Sequence, residues 1–284
     1  MAALSTAVFL AVLAAAAMHA AWNALLKTRA DRFVSVSLMS VGMGLSALPI
    51  LPFVAMPQGA TWGWIASSLV FHTGYKYFLA RAYETGDLAL AYPLARGTAP
   101  LLATVGGALL LAETPGATAI CGIVLLCCGV FLMSFRGGRG IGAYHGRSVF
   151  FALVTSLFIA GYTLTDGSGA RSAANAASYA AWLFAGEGLW SLGFCLMLRG
   201  PGSLRVMAGE WRAGLAGGFL SAVAYGIVMW AMTRAPIAMV AALRESSILF
   251  AMAISTALLG ERLDRWRVAA GLLIVAGVAA LRIG

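Results

Sequence analysis

Residues 93–132 read PLARGTAPLLATVGGALLLAETPGATAICGIVLLCCGVFL, and residues 241–280 read AALRESSILFAMAISTALLGERLDRWRVAAGLLIVAGVAA. Laid one on the other without a gap, they place Arg96 on Arg244, Glu113 on Glu261 and Gly129 on Gly277. Extended backwards, the same register puts Tyr77 on Tyr225, and a slightly different offset puts Trp22 on Tyr162. Leucine on leucine means little between two apolar segments. Rare charged residues coinciding twice in one ungapped window point to a duplication.

The rest of the chain says what was duplicated. Of 284 residues, 61% are hydrophobic and 10% charged, with a mean hydropathy of +0.89. Soluble domains carry roughly a quarter charged residues, and a compact interior has no room for this much apolar surface. A bilayer core about 30 Å thick does, and crossing it takes about 20 apolar helical residues. Such segments fall near 4–26, 33–56, 62–84, 88–111, 117–135, 147–168, 176–198, 211–233, 237–259 and 265–283. The first is not read as a signal peptide, because it lacks a basic leading region and runs on long enough to span. The expected fold is therefore an all-α integral membrane protein of ten transmembrane helices.

The longest polar break, FRGGRGIGAYHGR at 135–147, divides the chain nearly in half. The expected organisation is a first repeat over 1–135, a linker over 136–146 and a second repeat over 147–284. Five spans per repeat is an odd number, so the copies enter the membrane in opposite senses. Inverted repeats are a recurring plan of secondary transporters, which bind substrate near the midplane between the copies.

The motifs ALLLAE at 108–113 and ALLGE at 257–261 each precede a glycine-containing span, CGIVLLCCGVFLM and AAGLLIVAGVAAL. The chain thereby resembles the drug/metabolite transporter superfamily, in its ten-helix EamA-type branch that includes YddG-like amino-acid exporters. Ala112 departs from the pattern, standing where the second copy has Gly260. The resemblance implies the EamA fold, metabolite export and cytoplasmic termini. It carries no substrate.

Charges inside the spans carry the chemistry. Arg96 stands about eight residues into its helix, roughly 12 Å deep, and Arg244 lies at similar depth from the opposite side. An arginine at a helix centre costs roughly 2.5–3.5 kcal/mol on insertion scales. Two readings account for the cost. Either arginine is held by an internal carboxylate, with Glu245, Glu187 and Asp166 as candidates, or it grips a substrate carboxylate or phosphate through its planar fork. Pro93, Gly97 and Pro100 around Arg96 suggest a kinked cavity wall or a static packing kink. His72, Tyr75, Lys76 and Leu79 share one face of the third span, where Lys76 is expected to line a cavity. His19 and Asn23 share a face of the first span beside Trp22, a candidate for either the interfacial belt or the cavity. The candidate substrate-binding set is Trp22, His72, Tyr75, Lys76, Arg96, Tyr162, Tyr225 and Arg244. His19, Asp166, Glu187 and Glu245 are candidates for carrying a proton or an ion pair. Glu113 and Glu261 are expected at the water boundary, capping or pairing with basic neighbours.

Several functions are excluded or disfavoured. Neither of the two lysines, Lys27 and Lys76, ends a phosphate-binding G-x-x-x-x-G-K loop, so no P-loop in this chain drives transport. The net charge of +9 is dispersed at span ends, not gathered as nucleic-acid binding requires. The four cysteines lie inside apolar segments without metal-site spacing. No His/Asp/Glu cluster at ligand spacing suggests an enzyme, a metal or another cofactor. The expectation is a secondary exporter in the cell's inner membrane that moves amino acids or similar small zwitterionic or anionic metabolites. It would work by alternating access, with proton coupling among the options, as a monomer or homodimer walled by spans 1, 3, 4, 6, 8 and 9. An exporter of organic cations or drugs and a flippase-like lipid handler are the alternatives. Thirteen basic residues, among them Arg147, Arg199, Arg205 and Arg212, lie on the side of the odd-numbered loops, against Arg171, Arg234 and Arg282 opposite. The positive-inside rule thus puts both termini outside, against the family implication, and a C-terminal reporter fusion separates the two.

Overall fold

The computed structural model describes residues 4–26, 32–85, 88–134, 146–259 and 264–284, and among them there is no strand. The helices are α1 (Thr6–Leu26), α2 (Arg32–Ala47), α3 (Ala60–Thr85), α4 (Leu88–Leu111), α5 (Ala117–Ser134), α6 (Gly146–Ser172), α7 (Ala176–Arg199), α8 (Ser203–Gly209), α9 (Trp211–Met232), α10 (Ile237–Arg244), α11 (Ser247–Leu259) and α12 (Arg265–Ile283). Seven stretches are long and apolar enough to cross a membrane by themselves, the α10–α11 pair counting as one. Helices α2 and α5 are apolar but shorter, and α3 is 26 residues long with His72 and Lys76 lowering its hydropathy. Together they make the ten crossings, and α8 is a short extra turn between α7 and α9.

Three boundaries differ from the sequence expectation. The second span stops at Ala47 instead of 56, because Pro49 and Pro52 follow and a helix ends before a proline. The chain continues there as turns and a single 3₁₀ turn at Leu51–Phe53. The sixth helix continues to Ser172, where Arg171 ties its end to neighbouring carbonyls. Most consequentially, the ninth span is broken. After Arg244 the backbone tightens, with Glu245 N–H bonding Ala242 O at 2.9 Å and Ser246 N–H bonding Leu243 O at 3.1 Å, before helix resumes at Ser247. By contrast α4 runs through Pro93 and Pro100 as one helix.

The packing repeats itself across the two halves. Helix α1 lies along α9, as its counterpart α6 lies along α3, and α4 against α6 mirrors α11 against α1. Helices α2 and α7 pack on each other, as do α5 and α12. In lipid such contacts depend on close backbone approach at small residues. A Cβ on Gly277 would stand 2.7 Å from Gly122 O, and one on Gly122 would stand 2.9 Å from Gly277 O. The arrangement is the expected pair of inverted five-helix repeats.

Ala112, the departure from the repeat motif, ends α4 with φ of 54°. That is the left-handed conformation at which glycine closes helices without a Cβ penalty. We expect Ala112→Gly to raise thermal stability by about 0.5–1 kcal/mol, read as a higher midpoint of heat-induced aggregation in detergent. Gly260, Glu261, Arg262 and the stretch 135–145 lie outside the described residues.

Candidate functional site: a cavity between the two repeats

Between the repeats lies a cavity of about 130 Å³. One water needs about 10–15 Å³ of such space, so a ligand of several heavy atoms fits. All eight residues of the candidate binding set line it: Trp22, His72, Tyr75, Lys76, Arg96, Tyr162, Tyr225 and Arg244. His19, Asn23, Leu79 and Glu187 line it too, whereas Asp166 and Glu245 stand behind the wall, bonded to residues on it. Helices α2 and α7 also contribute, through Val36, Met39, Ser40 and Met43 and through Leu183, Phe184 and Glu187. The wall is thus wider than spans 1, 3, 4, 6, 8 and 9.

The two repeat-related arginines have different surroundings. Arg96, 4% exposed, donates from Nε to Glu245 Oε2 at 2.9 Å. Its Nη2 stands 2.9 Å from Oε1 but off hydrogen-bond alignment. Glu245 comes from the break in the ninth span and is 1% exposed. Arg96 is therefore neutralised internally. Arg244 is 5% exposed, yet among the described residues no carboxylate lies within ion-pair distance of it. Its Nη2 reaches the Tyr162 hydroxyl at 3.4 Å, and its guanidinium carbon lies 5.9 Å from the Tyr162 ring centre and 5.7 Å from that of Tyr225. Its Nε is buried without a partner. The asymmetry is written in the duplication, since Gly97 occupies the place in the first copy that Glu245 holds in the second.

The other charges are tied down. Lys76 spends its donors on Ser40 Oγ at 2.8 Å, Ser191 Oγ at 3.0 Å and Glu187 Oε1, leaving Glu187 Oε2 buried and unpartnered. Asp166, fully buried, accepts from Tyr179 at 3.1 Å and Tyr225 at 2.5 Å and stands 3.3 Å from His72 Nε2. His72 stacks on Tyr162 with ring centres 4.2 Å apart, and His19 meets Trp22 edge-on at 4.8 Å. Trp22 faces the cavity with its Nε1 buried and unpartnered, so its part is not only that of a belt residue. Tyr77, the repeat mate of Tyr225, is exposed, and Tyr75 takes the cavity position on that helix. The sequence reading missed Tyr179, Ser40 and Ser191, which only folding brings to Asp166 and Lys76. No three His, Cys, Asp or Glu side chains among the described residues converge as a metal set.

The cavity has one direction. Its lining runs from Arg244 and Tyr225 at mid-depth to Asn23, Tyr83 and Tyr92 near the ends of α1, α3 and α4 that lie on the odd-loop side. Toward the termini the space is filled by Val8, Val12, Ile237, Met239 and Val240, each at most 2% exposed.

Ten crossings in two inverted repeats, around a cavity that carries charged and aromatic side chains and is sealed toward one side, are the construction of a membrane transporter. The comparisons with known proteins say which kind. The EamA-like transporter family matches residues 6–135 and 146–283, one match per repeat, and the chain belongs to that family, a multi-pass membrane family of transporters. No curated protein matches it. A solved structure titled only as a crystal structure of a protein superposes with a TM-score of 0.72 at 15% identity, covering 97% of this chain and 95% of its own. At that identity the likeness speaks for the fold alone.

Proposed function

We propose that the protein is a secondary transporter that exports amino acids or similar small carboxylate-bearing metabolites across the cell's inner membrane by alternating access, with Arg244 receiving the carboxylate. The observation that carries the reading is the lone guanidinium of Arg244 on the cavity wall. A buried charge with no direct ion-pair partner is costly, and an anionic ligand reduces that cost while gaining charge-assisted hydrogen bonds. Trp22 Nε1 adds a further donor without an acceptor on the same wall. The unpartnered Glu187 Oε2 supplies an acceptor for an ammonium group, which favours a zwitterion over a plain anion. An organic cation fits less well, because the guanidinium of Arg244 on the same wall repels it.

The positive-inside count places the odd-loop side in the cytoplasm, so a cavity extending that way is the cytoplasm-facing, loading form. The experiment is counterflow of radiolabelled amino acids, as a mixture of the twenty and then singly, in proteoliposomes of the purified chain. Saturable uptake that unlabelled substrate competes away is the expected result. No uptake from the mixture, with uptake of tetraphenylphosphonium instead, would replace this reading with the cation one.

A further inference from the structure

The side of the protein that the cavity does not reach carries its own polar device. Arg171, in the last turn of α6, donates from Nη1 to Glu113 Oε1 at 2.5 Å, from Nε to Met232 O at 2.8 Å and from Nη2 to Ala235 O at 3.0 Å. Glu113, just past α4, accepts the Ile237 N–H on its other oxygen at 2.9 Å. One ion pair thereby joins the end of α4 in the first repeat to the ends of α6 and α9 and the start of α10 in the second. Each charge also suits the backbone it meets. The cation sits on the Met232 carbonyl at the end of α9 and on the Ala235 carbonyl in the linker that follows, and the anion on an orphan N–H at the start of α10.

We propose that Glu113 and Arg171 are the gate on the termini side, and that α10 is the rod that connects this gate to the ligand site. Helix α10 runs from Ile237, which the latch holds, to Arg244, about 10 Å away at 1.5 Å per residue. Every one of its residues is buried. At Glu245–Ser246 i→i+3 bonds replace the α-helical ladder between α10 and α11, and this tightened joint is where α10 bends relative to the rest of the ninth span when the gate moves. The latch, in contrast, is within reach of water, with side chains 32% and 17% exposed. Its bonds can therefore be exchanged for water when the gate opens, whereas the apolar plug beneath it cannot open while α10 is pinned. A ligand pulling on Arg244 and a latch holding Ile237 act on opposite ends of one short helix. This mechanism deepens the transport reading and rests on it, but its test needs no substrate.

The test uses a chain whose four cysteines are replaced by alanine and whose Ala241, 3% exposed in the middle of α10, is replaced by cysteine. In proteoliposomes, a membrane-impermeant maleimide is applied from the side that displays a C-terminal tag. With the latch intact, labelling is slow. Glu113→Gln and Arg171→Gln are each expected to raise its rate at least tenfold. Arg171→Lys keeps the charge but not the fork that reaches two carbonyls, and is expected to fall between. The swap Glu113→Arg with Arg171→Glu restores the ion pair, yet labelling stays fast because arginine cannot accept from Ile237 N–H. Rates unchanged from the intact latch, in variants that remain monodisperse, overturn the gate. If a glutamine variant does not stay monodisperse, the lysine variant decides by the same criterion. Fast labelling in a protein that transports no amino acid would keep the gate and discard the substrate reading. Slow labelling in one that does would do the reverse.

Discussion

Arg244→Gln is expected to fold, insert and lose carboxylate transport. A buried charge-assisted pair costs about 2–5 kcal/mol when one partner is truncated, and each 1.4 kcal/mol is tenfold. Apparent affinity for the best substrate should thus fall by a factor of about 30 or more. Stability should not fall with it. Glu245, the nearest acid in the chain, keeps its direct partner Arg96, and the contacts of Arg244 itself are a 3.4 Å bond to Tyr162 and two ring faces. Removing a buried cation that has no direct ion-pair partner among the described residues is expected to leave the thermal midpoint unchanged or raise it. Loss of transport with a raised midpoint identifies a binding group. Loss of both identifies a structural one.

Glu245→Gln is expected to do the opposite. It strips the counter-charge from Arg96, which is 4% exposed, and breaking a buried pair from one side costs about 3–5 kcal/mol. Most of a membrane protein's margin can be lost in that one change, so low yield and early aggregation on heating are expected. The double variant Arg96→Gln with Glu245→Gln removes both charges together and should recover most of the loss, because an apolar or neutral pair replaces a buried ion pair at little cost. A double variant as unstable as the single one would mean that Glu245 acts chiefly by shaping the break in the ninth span. Arg244→Gln and Glu245→Gln, one residue apart, thus give opposite phenotypes.

That contrast was partly legible in the sequence. The ungapped register that joins Arg96 to Arg244 also pairs Gly97 with Glu245, and this column holds the asymmetry. A first copy with no acid at that position cannot neutralise Arg244 as Glu245 neutralises Arg96. The ten crossings were legible from length and hydropathy, because the bilayer sets both. The break after Arg244 was not. AALRESSILF contains neither proline nor glycine, and only the polar triplet Glu245–Ser247 marks the place. Proline is no guide to the break, since Pro93 and Pro100 lie in the helix that stays unbroken. A membrane helix surrounded by others can absorb a proline, whereas the carboxylate that must reach Arg96 comes from a turn. The partners of Lys76 were equally hidden, because Ser40, Ser191 and Glu187 lie far from it in the chain and share no pattern with it. Glu113 does pair and cap, as expected of it, but its partners Arg171 and Ile237 meet it only in the folded repeat pair.

The central claim is that Arg244 receives the carboxylate of an amino-acid-like ligand, and matched ligand pairs test it most directly. Thermal stabilisation of the purified protein is measured against each of the twenty amino acids and its amide, in the native chain and in Arg244→Gln. The account predicts that at least one amino acid raises the midpoint of the native chain, that its amide does not, and that Arg244→Gln responds to neither. Equal stabilisation by acid and amide, or a response that survives in Arg244→Gln, would contradict it.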